Sequence, residues 1–320
     1  MKISLLSNIP KRIPPLLNIP AAIAGGYSKD KVVVVLGATG TGKSRLAIDL
    51  ATAFSAEVVN SDKIQLYRGL DIATNKVTDD ERRGVPHHLL GIADPDSDFS
   101  ASSFRAVAAA SVKSILKRSR LPIIAGGSNS FVEALLDDSD FRSRYDCCFL
   151  WVDVAMPVLH SFVQDRVDKM VERGMVEEIR DFYRPNGDYS KGIRRAIGVP
   201  ELHDFFDLES NSDEETKARI LAEAIDLVKM NTSRLAFRQL EKIHRLRRIR
   251  GWRMHRLDAT EVFMKRGGAE EAAAAWERAV AGPGAAVVSR FLYEMDSPAV
   301  AVTAMRRRVT AAAAAVMAHY

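Results

Sequence analysis

The order of apolar and polar residues changes character near residue 155. Before that point, short apolar runs rich in β-branched residues alternate with segments whose apolar residues recur every three or four positions. The runs predict buried strands, and the segments predict amphipathic helices. This alternation is typical of an α/β fold with a parallel sheet. The strands predicted in this way are residues 32–36, 57–60, 121–125 and 149–154, and the main helices are 45–54 and 104–118.

From residue 156 the pattern is mainly helical. We predict helices over residues 161–183, with Gly174 as a tolerated interruption, and over 213–246. Residues 184–190 are predicted to be a loop, because Pro, Asn, Gly and Asp follow one another closely there. The chain after residue 267 is alanine-rich and shows no recognisable site.

One motif carries most of the chemical information: residues 37–44 match the phosphate-loop pattern G-x-x-x-x-G-K-[ST] at every fixed position. They follow the first predicted strand and precede helical spacing, which is the context that the motif requires. Glycines let successive backbone N–H groups converge on an anion, and the helix start adds a partial positive charge. Lys43 supplies a full charge, and the Ser44 hydroxyl can ligate Mg²⁺. The motif is Gly37, Ala38, Thr39, Gly40, Thr41, Gly42, Lys43, Ser44.

These patterns predict a P-loop NTPase-like parallel sheet flanked by helices, with a smaller, mainly helical region. We divide the chain into a leader (1–29), a P-loop α/β core (30–155), a helical part that completes the core (156–266) and a tail (267–320). Residues 1–28 contain four prolines and three basic residues but no acid. That composition is compatible with an organellar transit peptide and equally with a disordered leader.

The bulk composition narrows the class of protein only a little. A hydrophobic fraction of 47% and a charged fraction of 27% are ordinary for a globular protein. The net charge of +5 suits phosphorylated small molecules as well as nucleic acid. Cys147 and Cys148 are the only cysteines, so neither a zinc site nor a disulfide framework can be built from them. No apolar run approaches the roughly 20 residues that span a membrane.

Two carboxylates at predicted strand ends are candidates for chemistry. Asp62 follows strand 57–60, and the fold should bring it near the phosphate loop, where a carboxylate can ligate metal or accept a proton. Asp153 lies at the end of an apolar strand, as the Mg²⁺-binding carboxylate of a kinase or NTPase does. For each of them the alternative is a carboxylate that caps the next turn.

Five motifs occur in a fixed order along the chain: residues 37–44, 59–67, 71–76, 86–89 and 125–131. Together they resemble the isopentenyltransferases, which put a dimethylallyl group on N6 of adenine. The resemblance extends from about residue 31 to about residue 263. Because the motifs occur together, the resemblance is far more specific than a lone phosphate loop.

The family has two branches, and this chain resembles the plant branch that modifies free adenine nucleotides in cytokinin synthesis. Residues 126–131 are Gly-Gly-Ser-Asn-Ser-Phe, where the tRNA-modifying enzymes usually show a Gly-Gly-Thr-Gly-Leu-Tyr type of sequence. Residues 189–201 and 231–239 point the same way. Eukaryotic tRNA enzymes often add a Cys₂His₂ zinc finger, which this sequence cannot form because no cysteine follows Cys148.

The resemblance implies a donor, dimethylallyl diphosphate, and an acceptor, which is AMP, ADP or ATP. It implies that the phosphate loop and Mg²⁺, bound through Ser44, hold the donor's diphosphate. Asp62 is then the general base for the N6 amine, and Thr39 either steers the reacting groups or only shapes the loop. The implied diphosphate-binding residues are Gly37, Ala38, Gly40, Thr41, Gly42, Lys43, Ser44 and Arg166. The implied acceptor residues are Ser128, Asn129, Arg194, Arg234, Arg238 and Gln239.

For the arginines of these sets, the alternative is a solvated surface charge. Residues 242–256 are the densest basic stretch, and three interpretations stay open: an RNA-binding patch, a rim for a triphosphate, or a solvated helix end. We interpret His87 and His88 as structural or as lining the site, because no third ligand lies nearby in the sequence.

The predicted function is therefore the transfer of a dimethylallyl group to a free adenine nucleotide. The alternatives are a tRNA dimethylallyltransferase, a P-loop kinase or NTPase that uses Asp153, and a non-catalytic nucleotide-binding module. The intact Lys43, Ser44 and Asp62 argue against the last of these. We expect no nucleic-acid or membrane partner and a plastid location, with cytoplasm and mitochondrion as alternatives, and we leave the oligomeric state open.

Overall fold

The computed structural model describes residues 29–265 and 267–293. The predicted leader, except for its last residue, and the end of the predicted tail lie outside these residues. The described part contains one sheet of six parallel strands. The strands are β1 (Asp30–Leu36), β2 (Ala56–Asn60), β3 (His87–His88), β4 (Leu121–Ala125), β5 (Tyr145–Asp153) and β6 (Met254–Asp258).

The strand order is β3-β2-β4-β1-β5-β6, which confirms the predicted parallel α/β fold. Helices cover the sheet and form the region beside it. They are α1 (Lys43–Phe54), α2 (Asp79–Arg82), α3 (Ala101–Lys117), α4 (Asn129–Leu136), α5 (Ser139–Arg144), α6 (Met156–Glu172), α7 (Met175–Arg180), α8 (His203–Leu208), α9 (Glu214–Ile249), α10 (Thr260–Met264), α11 (Ala269–Trp276) and α12 (Gly282–Tyr293).

The central strand β1 explains why both faces of the sheet are covered. Its residues 32–36 are fully buried, and their side chains alternate between two cores because successive strand residues point to opposite faces. Val33 and Val35 belong to a core shared with α1, whereas Val32 and Val34 belong to one shared with α3. A parallel strand that is apolar on both faces requires such a double covering.

Helix α9 joins the sheet to the helical region. It spans 36 residues, and the side chain of Asp213 caps its start by accepting a hydrogen bond from the N–H of Thr216. Along its length Val228 packs in the core of the helical region, Ala236 in the core on the α1 face of the sheet, and Ile243 in the core on the α3 face. No helix in the described part of the chain is long and apolar enough to cross a membrane.

Three features differ from the sequence prediction. Gly174 does not interrupt one long helix; it has φ of 95° and separates α6 from α7, because a glycine in the left-handed region ends a helix. Strand β6 adds to the edge of the sheet, so the sheet extends beyond the core boundary that we placed at residue 155. Residues 269–293 form helices that bury Trp276 and Val288 in the core on the α1 face of the sheet.

Candidate active site

Three neighbouring strands, β2, β4 and β1, end at one cavity of about 720 Å³. The phosphate loop follows β1, Asp62 lies just after β2, and Gly126 and Gly127 follow β4. The carboxyl ends of parallel strands share one edge of the sheet, which is where α/β proteins place their ligands. The structure thus brings together the three elements that the sequence placed at strand ends.

The phosphate loop needs glycine at two positions for two reasons. Gly40 and Gly42 have φ of 83° and 92°, in the left-handed region that side-chain-bearing residues rarely adopt. A Cβ atom at Gly40 would lie 2.9 Å from Val163, and one at Gly42 would lie 2.8 Å from the ring of Trp276. The loop therefore keeps its shape through backbone freedom and through close packing on α6 and α11.

Lys43 is buried beside the cavity and donates a hydrogen bond from Nζ to the carbonyl oxygen of Ala38 at 2.6 Å. Burial lowers the pKa of Lys43 to about 8; nearby Asp62 acts in the opposite direction and Arg166 in the same one. The side chain therefore carries its charge at neutral pH and loses it in mildly alkaline solution. Ser44 also lines the cavity, next to Lys43.

Thr39 is held from two sides. Its backbone N–H donates to Oε1 of Gln239 at 2.7 Å, and its hydroxyl accepts a hydrogen bond from Nη2 of Arg166 at 3.1 Å. Burial lowers the pKa of Arg166 to about 10, which leaves it charged at neutral pH. Arg166 thus lies in the cavity wall beside the loop, as a diphosphate-binding residue must, although it belongs to α6.

Gln239 connects the two sides of the cavity. Besides accepting from Thr39, it donates from Nε2 to the carbonyl oxygen of Gly127 at 2.9 Å. The carbonyl oxygen of Gln239 accepts a hydrogen bond from Nδ2 of Asn129 at 3.0 Å. Gln239 is buried, and these contacts make it a link between the loop and the turn after β4.

Asp62 is fixed at the cavity edge by short-range hydrogen bonds. Its N–H donates to Oδ1 of Asn60, and its Oδ1 accepts from the N–H of Ile64, each at 3.0 Å. The glycines after β4 leave room for it, because a Cβ at Gly127 would lie 3.0 Å from Oδ2 of Asp62. The other carboxylate oxygen of Asp62, Oδ2, accepts no hydrogen bond from the backbone of the described residues.

Two of the predicted acceptor residues make internal contacts. The Ser128 hydroxyl accepts a hydrogen bond from the N–H of Lys63 at 2.8 Å, which joins the ends of β4 and β2. Asn129 uses Nδ2 on Gln239, and its buried Oδ1 has no partner within the described residues. Neither side chain lines the cavity, so each supports the residues that do.

The remaining predicted arginines do not line this cavity. Arg194 is buried and forms a hydrogen-bonded ion pair with Asp96, whereas its neighbour Arg195 lines the cavity. Arg234 and Arg238 lie on another side of α9. There they line a separate cavity of about 660 Å³ between α6 and α9, together with Lys229.

Asp153 directly follows Val152, whose carbonyl oxygen packs against Gly37 of the phosphate loop. It accepts a hydrogen bond from Nε of Arg256 at 2.7 Å and does not line the cavity, which weakens the kinase or NTPase interpretation. In the basic stretch 242–256, Arg245 and Arg250 both form ion pairs with Glu133.

The two adjacent histidines have contacts within the protein. Nε2 of His88 lies 2.6 Å from the buried carboxylate of Glu57, and Nδ1 of His87 lies 2.9 Å from the carbonyl oxygen of Val85.

Sequence reasoning missed Arg45 and Arg83, which add positive charge to the cavity wall. For Arg45 a signal existed, because it directly follows the motif on the first turn of α1. Arg83 carries no local signal and enters the site only through folding. The apolar part of the wall comes from Ile48, Phe162, Met170, Ile197, Val228 and Leu235.

The chain is similar to a known family of proteins. The model of the IPP transferase family matches residues 65–144 and 137–245. Adenylate isopentenyltransferase 3, chloroplastic, of Arabidopsis thaliana is 54% identical over 309 residues, which cover 93% of this chain and 92% of that protein. Adenylate isopentenyltransferase 7, mitochondrial, of the same plant is 53% identical, and the match covers 83% of this chain and 81% of that protein. Adenylate isopentenyltransferase of Humulus lupulus is 44% identical, and the match covers 81% of this chain and 90% of that protein.

Solved structures show the same fold. A eukaryotic dimethylallyltransferase acting on tRNA has a TM-score of 0.70 at 23% identity, covering 84% of this chain and 81% of that one. The tRNA isopentenylpyrophosphate transferase of Bacillus halodurans has a TM-score of 0.62 at 27% identity, and the match covers 78% of this chain and 99% of that one.

Proposed function

This chain belongs to the isopentenyltransferase family, and on that basis we propose that it transfers a dimethylallyl group from dimethylallyl diphosphate to N6 of a free adenine nucleotide. The observation that carries the proposal is the position of Asp62: this carboxylate and the phosphate loop line the same cavity. A site for an anionic leaving group thus faces a base for the attacking amine, as the transfer requires.

The reaction requires a base at the attacking amine and stabilisation of charge on the leaving diphosphate. The N6 amine attacks C1 of the donor, the bond from C1 to the diphosphate oxygen breaks, and the N6 proton passes to Oδ2 of Asp62. The departing diphosphate gains negative charge, which Lys43, Arg166 and the N–H groups at the start of α1 stabilise where it develops. Apolar residues of the wall, such as Phe162 and Leu235, suit the hydrocarbon group.

We propose Mg²⁺ as the metal that accompanies the diphosphate. The Ser44 hydroxyl lines the cavity beside the loop, and Mg²⁺ commonly takes most of its ligands from substrate phosphates and water. The described residues contain no cluster of three or more His, Cys, Asp or Glu that could hold a metal by itself. When bound, the metal neutralises charge on the leaving diphosphate.

For the acceptor, we propose that Arg195 contacts the phosphates, with Lys63 nearby. Arg195 lines the cavity, and burial together with the charge of Arg195 lowers the pKa of Lys63. Arg234 and Arg238 remain candidates only for an acceptor whose phosphates extend into the neighbouring cavity.

A direct assay tests the proposed reaction and separates it from its alternatives. The full chain is incubated with Mg²⁺ and dimethylallyl diphosphate, and with AMP, ADP, ATP or unmodified tRNA, and products are analysed for N6-prenylated adenine. We expect prenylated ADP or ATP. Prenylation of tRNA alone would instead identify a tRNA-modifying enzyme, and ATP hydrolysis without a prenylated product would identify an NTPase.

We also propose a plastid location, because one of the similar relatives is named chloroplastic; another is named mitochondrial. Imaging of the full chain with a carboxyl-terminal fluorescent tag distinguishes the two compartments.

A further inference from the structure

The tail of the chain makes an unexpected contact with the phosphate loop. Trp276, at the end of α11, is only 3% exposed, and its ring lies against Gly42. The fit is so close that a Cβ atom at Gly42 would lie 2.8 Å from two ring carbons. Trp276 lies beyond residue 245, where the match to the family model ends.

Trp276 contacts the first two turns of α1 at three residues. Besides packing on Gly42, its ring lies 4.5 Å below the guanidinium carbon of Arg45, which is a cation–π distance. Its Nε1 donates a hydrogen bond to Oδ2 of Asp49 at 2.8 Å. Residues 42, 45 and 49 are three and four positions apart, so they share one face of the helix.

These contacts reach the cavity itself. Arg45 and Asp49 line it, and Asp49 also forms an ion pair with Arg83, which lines it too. The free N–H groups that bind an anion belong to the first turn of the same helix. A ring that holds Gly42 and Arg45 therefore controls where these N–H groups and the Arg45 charge point.

We propose that Trp276 is a positioning residue of the diphosphate site, which holds the start of α1 and Arg45 in place for the donor. The proposal rests on the proposed function in one respect: it takes the ligand of the loop to be a diphosphate. The carboxyl-terminal helices, which the sequence assigned to a tail without a site, then belong to the donor half of the active site.

The first test compares Trp276→Leu and Trp276→Phe in the full chain. Calorimetric titration with inorganic diphosphate and Mg²⁺ gives the affinity of the loop, and steady-state kinetics give KM for each substrate. We expect Trp276→Leu to weaken diphosphate binding and to raise the donor KM by about tenfold or more, with the nucleotide KM unchanged. Trp276→Phe keeps a ring against Gly42 and loses only the hydrogen bond to Asp49, so about threefold is expected.

A tryptophan away from the loop supplies the control. Trp252 stacks on Phe149 with ring centroids 4.9 Å apart, and we expect Trp252→Phe to leave diphosphate affinity unchanged. A Trp276→Leu protein that is folded but melts at a lower temperature, with normal diphosphate affinity, would reduce Trp276 to a core residue and overturn the proposal.

A spectroscopic readout covers the case in which Trp276→Leu does not fold. Because Trp276 contacts the loop, we expect diphosphate to change the tryptophan emission of the wild type and of Trp252→Phe but not of Trp276→Phe. An equal change in all three proteins would contradict the proposal. Since diphosphate binding needs no acceptor, these results stand even if the assay for prenyl transfer fails.

Discussion

The two walls of the cavity are built in different ways. The phosphate loop is eight consecutive residues, 37–44, and its backbone shape follows from glycines in the left-handed region. The opposite wall is assembled from Asp62, Gly127 and Arg195, which lie on separate segments of the chain. A local motif is thus visible in the sequence, whereas a wall of distant segments exists only after folding.

The two walls also differ in charge. Lys43, which is buried, and Arg166, which is half-buried, place positive charge on the loop side, whereas the other wall carries the Asp62 carboxylate together with Arg195. This separation suits a reaction in which one group leaves as an anion and the other loses a proton. Gln239 joins the walls and so sets their spacing.

Asp62→Asn removes the base and keeps the size of the side chain. If the wall of Asp62 serves the acceptor amine, turnover should fall by about 10²–10⁴-fold, because general-base catalysis contributes that much. The affinity for inorganic diphosphate, measured by calorimetric titration, should stay near that of the wild type. Near-normal turnover in this variant would end the general-base assignment.

Gln239→Ala removes the link between the walls. We expect kcat/KM to fall by about 10- to 100-fold, with both substrates affected, since small displacements of reacting groups have large kinetic effects. Gln164→Ala is the matched control, because Gln164 contacts His160 at the second cavity and does not line the one that holds the phosphate loop. Equal losses in the two variants would show that Gln239 has no special role between the walls.

Substitutions at the adjacent residues Arg194 and Arg195 should have different effects, one on stability and the other on nucleotide binding. Arg195→Ala should raise the KM for ADP or ATP by about tenfold, because it removes a charge-assisted contact to phosphate. Arg194→Ala should instead lower the melting temperature, because it leaves Asp96 without the buried half of its ion pair. The reverse assignment, with Arg194 affecting KM and Arg195 affecting stability, would refute the placement of the acceptor phosphates.

The pH dependence of diphosphate binding tests the loop side alone. The pKa of Lys43 is lowered to about 8, so its charge is complete below that pH and is lost as pH rises through it. We expect diphosphate affinity to weaken severalfold between about pH 7 and about pH 9. Lys43→Arg keeps its charge over this range and accounts for titration of the ligand itself. The same pH profile in both proteins would exclude Lys43 as the titrating group.

Several parts of the fold and site were predictable because their signals are local. The buried strands β1, β2 and β4 follow apolar runs, and strand ends predicted where Asp62 and Gly126 would meet the loop. Prediction failed where packing decides. Strand β6 was missed because its sequence, Met254–Asp258, is polar and lies within a basic stretch. Local sequence likewise cannot show which of Arg194 and Arg195 turns toward the cavity, since adjacent residues point in different directions.

The sequence by itself determined the phosphate loop, the order of strands and helices around it, and the family, because glycine geometry, residue periodicity and fixed-order motifs are properties of short segments. Only the tertiary structure decided that Gln239 joins the two walls, that Asp153 pairs with Arg256, and that Trp276 packs on Gly42. These contacts join segments more than 100 residues apart along the chain. They depend on the packing of α9, α11 and the sheet edge, which no local pattern encodes.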